Sequence, residues 1–134
     1  MSAKALLDTD TLSAIMRQHP AAIARARIYL DEHRRFAFSL ITRYEILRGL
    51  LTKGAIRQRA DFEKLCDVSE VLPVDERIIS RAAEIYADLY NRGQLIGDAD
   101  ILIAATALEN GLVAATNNQR HLSRLSGLVL ENWL

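Results

Sequence analysis

The 134-residue chain has one cysteine, two prolines, one tryptophan and no excess charge, since Lys+Arg and Asp+Glu are 17 each. A lone cysteine excludes an internal disulfide and a cysteine-built zinc site, and it suits a reducing compartment. Scarce proline and six glycines leave no linker-like stretch, and no repeat or low-complexity tract is present. No apolar run approaches the ~20 residues needed to span a bilayer. The opening MSAKALLDTD reaches two acids and lacks the apolar core of a signal peptide. Zero net charge removes any global attraction to nucleic acid or membrane. Three histidines without HExxH spacing give a zinc hydrolase nothing to build on. No GxxxxGK[ST], GxGxxG or G-x-S-x-G occurs, so phosphate-cradling loops and a nucleophile elbow are unsupported. What these absences leave is one small cytoplasmic domain over residues 1–134.

What is present alternates between short apolar runs and helical spacing. Residues 5–7 read as a buried strand ending at Asp8, followed by a turn and short helix over 9–18. Pro20 introduces a helix over 21–33, and a second strand is predicted at 36–39. Thr42 is placed to cap a helix reaching about 51, with Glu45 at the capping-box position. A polar helix follows over 56–65, then a strand at 71–74 that Pro73 confines to a sheet edge or strand end. A long helix spans 75–92. Asp98 opens an apolar helix to 109, which Asn110-Gly111 stops with a left-handed cap. A strand at 112–115, a short helix at 119–125 and a strand at 128–130 complete the chain. This alternation argues for an α/β domain with a mostly parallel sheet covered on both faces.

Acids recur where such strands end or helices begin: Asp8, Glu45, Asp98 and Asp100. In a parallel sheet these positions gather over the carboxyl edge, where open α/β folds bind ligands. Asn117-Asn118, after the fourth strand, arrives at the same rim. Clustered carboxylates repel one another unless cations neutralise them, and hard ions such as Mg²⁺ and Mn²⁺ prefer oxygen donors. Metal-assisted hydrolysis is the chemistry such a set supports. Beside it, residues 33–60 hold Arg34, Arg35, Arg43, Arg48, Lys53, Arg57 and Arg59 against the single acid Glu45. That stretch suits a phosphate backbone, and Arg is favoured over Lys 14 to 3 in the whole chain. Taken one by one, the acids also have plain structural readings. Asp98 can cap a helix, Asp100 can complement its dipole, and Asp10 is the favoured cap of the first helix. His121 reads as surface and Cys66 as a small residue on a helix face.

LLDTDTLS at 6–13, TRYEILRGL at 42–50, IGDADILIAATALENGL at 96–112 and ATNNQRHLSRLSGLVLENW at 115–133 together resemble the PIN-domain ribonucleases. More narrowly, they resemble the VapC toxins of bacterial toxin–antitoxin pairs. The resemblance covers essentially the whole chain. It implies a three-layer α/β/α sandwich with a short parallel sheet and an acidic pocket for Mg²⁺ or Mn²⁺. It places the metal-holding acids on Asp8, Glu45 and Asp100, with Asp98 as auxiliary ligand or helix cap. The fourth position falls on Asn117 or Asn118, and Thr116 matches a hydroxyl near the site. Related toxins with this asparagine pair often carry Glu where His121 stands. The resemblance further implies an endoribonuclease acting on structured RNA, a tRNA or ribosomal RNA, to halt translation. Arg43, Arg48, Lys53 and Arg57 would follow the RNA backbone. A VapB-type antitoxin would neutralise the toxin and supply its only contact with DNA. A homodimer is also implied, with Tyr86, Leu89 and Tyr90 as surplus apolar residues. Two rival readings remain. LLDTDT also matches the nucleophile motif of haloacid-dehalogenase-type phosphatases, with Asp8 as nucleophile and Asp10 as acid/base. Asparagine at the fourth position also leaves room for a non-catalytic module binding RNA or protein.

Overall fold

The computed structural model describes residues 2–134. Five three-residue or shorter strands form one sheet, β1 (Ala5–Leu7), β2 (Ala37–Ser39), β3 (Glu70–Leu72), β4 (Val113–Ala115) and β5 (Leu130–Glu131). Their order is β3-β2-β1-β4-β5, and every pairing is parallel. Leu6 lies opposite Ala37 on one side and Ala114 on the other. The chain therefore winds outward from β1 to β3, then returns to β1's other flank with β4. That reversal at β1 and β4 is where a doubly wound sheet opens a ligand crevice.

Among the described residues seven helices cover the sheet: α1 (Thr9–Met16), α2 (Pro20–His33), α3 (Leu40–Lys53), α4 (Ile56–Asp67), α5 (Glu76–Asn91), α6 (Asp98–Glu109) and α7 (Gln119–Leu122). Alternation along the strands divides the core into two layers. Ala5, Leu7, Phe38 and Ala115 face Leu12, Ala26, Tyr29, Ile46 and Phe62 of α1–α4. Leu6, Ala37 and Ala114 face Ile103 and Ala107 of α6. Buried on both faces, the strands need no polar alternation, which is why they read as plain apolar runs. Outside α6 lies α5, which buries Ile78, Ala82 and Leu89. Among the described residues no helix is long and apolar enough to cross a membrane.

Several boundaries depart from the sequence expectation, each for a local reason. The third strand begins at Glu70, whose N–H donates to Phe36 O at 2.8 Å, and it ends before Pro73, which has no N–H to offer. The last strand is 130–131, because Thr116 N–H donates to Glu131 O at 2.8 Å. Ser39, not Thr42, caps α3, its Oγ accepting from Ile41 N at 3.0 Å. Thr42 is instead fully buried one turn into the helix. Gln18 turns the chain with φ +65, which ends α1 at Met16. At the other end of the chain, α7 stops at Leu122. Leu89 is not surplus surface but fully buried core.

At the opposite, amino edge of the sheet, Tyr29 ties α2 to β1. Its hydroxyl accepts from Ala5 N at 3.1 Å and donates to Ala5 O at 3.3 Å. Its ring packs against Phe36 and Trp133, with centroids 6.2 and 5.2 Å away. Replacing Tyr29 with Phe keeps the packing but leaves the buried Ala5 N–H without its partner. We expect Y29F to lose about 1–2 kcal/mol in urea unfolding, whereas an unchanged midpoint would mean that the strand is held elsewhere.

Candidate active site

Three neighbouring strands end at one rim and hand their next residues to it. β1 delivers Asp8, which is only 6% exposed. Its Oδ1 accepts from Thr11 N at 2.8 Å and so caps α1. Asp10, the expected cap, is an exposed first-turn residue instead, because the helix already begins at Thr9. β2 passes through Ser39 into α3, whose second turn carries Glu45. With Ser39 as cap, Glu45 lies too far along to close a capping box. Its Oε1 accepts from the Thr9 hydroxyl at 2.6 Å, and that hydroxyl lies 3.1 Å from Thr42 Oγ1. Thus Thr9, which the sequence reading passed over, fixes the second acid from the first helix.

β4 leads into Thr116, whose Oγ1 accepts from Asn118 N at 2.9 Å. This turn points Asn118 toward the first turn of α6, where its Nδ2 donates to Asp100 Oδ2 at 3.4 Å. Asn117 faces away, its Oδ1 accepting from Asn132 Nδ2 at 3.3 Å. Of the two asparagines, 118 is the one the fold turns toward the acids. Asp98 is exposed at the first residue of α6, whose cap is Gly97, so it neither caps the helix nor joins the cluster. His121, read from sequence as surface, is half-buried with Nδ1 3.2 Å from Asn118 Nδ2. Its spacing of three from Asn118, across the start of a helix, and the Glu that related toxins carry at this position were the signals for that contact.

The electrostatics report a cluster under repulsion. Burial pushes the Asp8 carboxyl above the ordinary aspartate range. The Thr116 side chain and the Thr11 N–H pull it back, and Asp10 adds a further upward push. The Thr11 hydroxyl, fully buried and without a well-formed hydrogen bond, pulls in the same direction as Thr116. Asp100 is also raised, first by burial, then by the charges of Asp8, Glu45 and Asp10, with His121 opposing. Among the described residues no three His, Cys, Asp or Glu side chains are already drawn together as a metal site. The donor chemistry nevertheless fits a hard divalent cation: one buried and two half-buried carboxylates with an amide beside them, the charges of Asp8, Glu45 and Asp10 pressing on Asp100.

The basic stretch divides in two. Arg43 is bound into the α3–α4 packing by a salt bridge to Glu63 and a 3.3 Å contact to Cys66 Sγ, so it does not line an open phosphate track. That pairing holds its guanidinium firmly protonated and lowers the Glu63 carboxyl. Arg48, Lys53 and Arg57 are exposed, and Arg48 reaches Glu45 Oε2 at 3.7 Å.

A short parallel sheet between helical layers, with acids gathered at its carboxyl edge beside exposed cations, is the frame of a phosphodiester-cleaving domain. The profile of the PIN domain matches residues 5–128. The chain is 34% identical over 131 residues to the tRNA(fMet)-specific endonuclease VapC of Salmonella typhimurium strain LT2, covering 97% of this chain and 98% of that protein. It is also 29% identical over 132 residues to ribonuclease VapC2 of Haemophilus influenzae strain Rd, covering 98% of each. Among solved structures, DNA-bound VapBC of Salmonella typhimurium superposes with a TM-score of 0.87 at 32% identity, over 99% of this chain and 100% of that one. VapBC-1 of nontypeable Haemophilus influenzae gives 0.81 at 28%, over 96% and 97%. The chain therefore belongs to the PIN-domain family, in its VapC branch.

Because the Asp100 carboxyl is raised in the folded state, it stabilises the fold below the ordinary aspartate range and loses that contribution as pH rises through its raised value. Asp100→Asn removes the repulsion. We expect D100N to melt about 3 °C above wild type at pH 7 in EDTA, with the gap closing as pH falls toward 4. A variant less stable at neutral pH would show that the carboxylate is balanced by the fold.

Proposed function

We propose that this protein is a Mg²⁺- or Mn²⁺-dependent endoribonuclease toxin, cutting structured RNA (a tRNA or ribosomal RNA) and thereby halting translation in the cytoplasm. The observation that carries this is the convergence of Asp8, Glu45 and Asp100 at one sheet edge, with the two aspartates pushed upward by burial. Asp8, Glu45 and Asp100 would hold the metal. When bound, a divalent ion supplies charge neutralisation and a water of lowered pKa. The chain's own residues do the rest. Thr9 holds Glu45 in place from α1. Thr116 fixes both the Asn118 backbone and the charged form of Asp8. Asn118 orients the attacking water for in-line displacement, leaving 5′-phosphate and 3′-hydroxyl ends. Arg48, Lys53 and Arg57 follow the RNA backbone, while Asp98 and Asn117 stay at the margin of the pocket.

The relative from Salmonella carries tRNA(fMet) specificity in its name, and the superposing assemblies are toxin–antitoxin complexes, one of them on DNA. By that likeness we assign this chain a VapB-type antitoxin that silences it and makes the DNA contact. A homodimer is supported by the exposed Tyr86–Tyr90 stack on α5, centroids 6.2 Å apart. The phosphatase alternative through Asp8 and Asp10 loses its footing, because the fold and family are those of PIN domains and Asp8 is committed to capping α1.

Cleavage of total RNA by the purified protein tests the reading, with Mg²⁺ or Mn²⁺, with EDTA, and with Asp8→Asn. Discrete fragments bearing 5′-phosphates are expected with metal. EDTA should abolish them and D8N should lower the rate by about a hundredfold or more. Undiminished cleavage in EDTA or by D8N contradicts the assignment. RNA binding that weakens with salt but never leads to cleavage would favour the non-catalytic module, for which asparagine at position 118 is the supporting feature.

A further inference from the structure

Asn118 occupies the cap position of α7, yet its side chain makes no capping hydrogen bond. An asparagine there ordinarily turns its oxygen toward the backbone N–H groups of the first turn. Here the opposite end of the amide faces the helix. Nδ2 lies 3.2 Å from His121 Nδ1 and 3.4 Å from Asp100 Oδ2. The imidazole is fixed in turn by its neighbour Leu122, which is buried against Leu89, Ala104 and Leu125. A short polar helix is thus held by one apolar residue so that the residue before it can meet the site.

The hydrogen inventory determines which way the amide points. An ionised Asp100 can only accept, and an imidazole Nδ1 that faces an N–H must accept as well. Both amide hydrogens are therefore taken, and Oδ1 is left as the free end. Turning the amide over would set Oδ1 against the Asp100 carboxylate and would require an Nδ1–H on His121, so the contact to Asp100 favours the orientation seen and an accepting Nδ1. A carboxylate at position 121 would also accept from Nδ2. It would, however, add a negative charge where Asp8, Glu45 and Asp10 already press on Asp100. Imidazole gives the same hydrogen bond without that charge.

We propose that His121 is a positioning residue of the active site, whose Nδ1 accepts from Asn118 and so commits the amide oxygen of Asn118 to the hydrogen of the attacking water. The inference rests on the ribonuclease reading and assigns its unexplained histidine. It requires the Nε2–H tautomer of His121 in the resting protein.

Two measurements test it separately. The first is ¹⁵N NMR of the metal-free protein, which reports the imidazole tautomer without any cleavage. Nδ1 of His121 should read as unprotonated, and Asn118→Ala should shift it. A protonated Nδ1, or one indifferent to N118A, overturns the proposal even if the enzyme is active. The second is steady-state cleavage of a single-site RNA by wild type, H121A, H121Q, N118A and the double variant N118A/H121A. H121A should lower kcat about tenfold with KM unchanged. H121Q, which restores an acceptor, should recover most of the rate, and the double variant should be no slower than N118A alone. Full kcat in H121A, no rescue by H121Q, or losses that multiply in the double variant each contradict it. If wild type cuts no RNA, the ribonuclease reading fails while the tautomer result still decides the contact.

Discussion

Burial of Asp8 at the end of a central strand is the constraint around which this molecule is arranged. A carboxylate there must be hydrogen-bonded or neutralised, since an uncompensated buried charge costs several kcal/mol. The fold supplies part of the answer through the Thr11 N–H at 2.8 Å and the Thr116 side chain. It withholds the rest by bringing Asp10 close enough to push Asp8 the other way, while Asp8, Glu45 and Asp10 together press on Asp100. A fold built only for stability would not do this. On the metal-dependent function proposed above, a bound cation would relieve that residual repulsion.

That arrangement follows from topology more than from any single contact. β1 lies between β2 and β4, so the residues leaving all three strands meet at one rim although they are about a hundred positions apart in sequence. The small residues of α6, Ala104, Ala105 and Ala107, are fully buried. Ala107 packs with Ile103 against the sheet, whereas Ala104 and Ala105 meet the α5 layer, and the first turn of α6 carries Asp100 toward Asp8. Two hydroxyls then do the finer setting: Thr9 aims Glu45, and Thr116 aims Asn118.

Much of this was legible before the structure. Short apolar runs, of which 5–7 ends in Asp8 and 112–115 leads to the Asn117-Asn118 pair, pointed to the parallel sheet and the carboxyl rim, because strands buried on both faces carry no competing pattern. The caps were less legible. Asp8 against Asp10, and Ser39 against Thr42, are both chemically good caps, and only the strand end decides between them. Asp98 and Asp100 differ by two residues, roughly 200° around a helix, so one faces solvent and the other the acids. Arg43 looked like its basic neighbours until α4 presented Glu63. His121 was hidden because a four-residue helix gives no periodicity to read.

Binding of a divalent ion by the acid cluster is the step on which the proposed activity depends. Titration calorimetry of the wild-type protein with Mn²⁺, run in pairs of buffers of different ionisation enthalpy from the ordinary aspartate range up to neutral pH, tests it directly. Saturable binding with release of protons from the raised carboxyls is expected, and Glu45→Gln should weaken it at least about tenfold. Absence of binding, or binding that leaves the protons in place and ignores E45Q, would mean that the repulsion serves no ion and that the site has been misread.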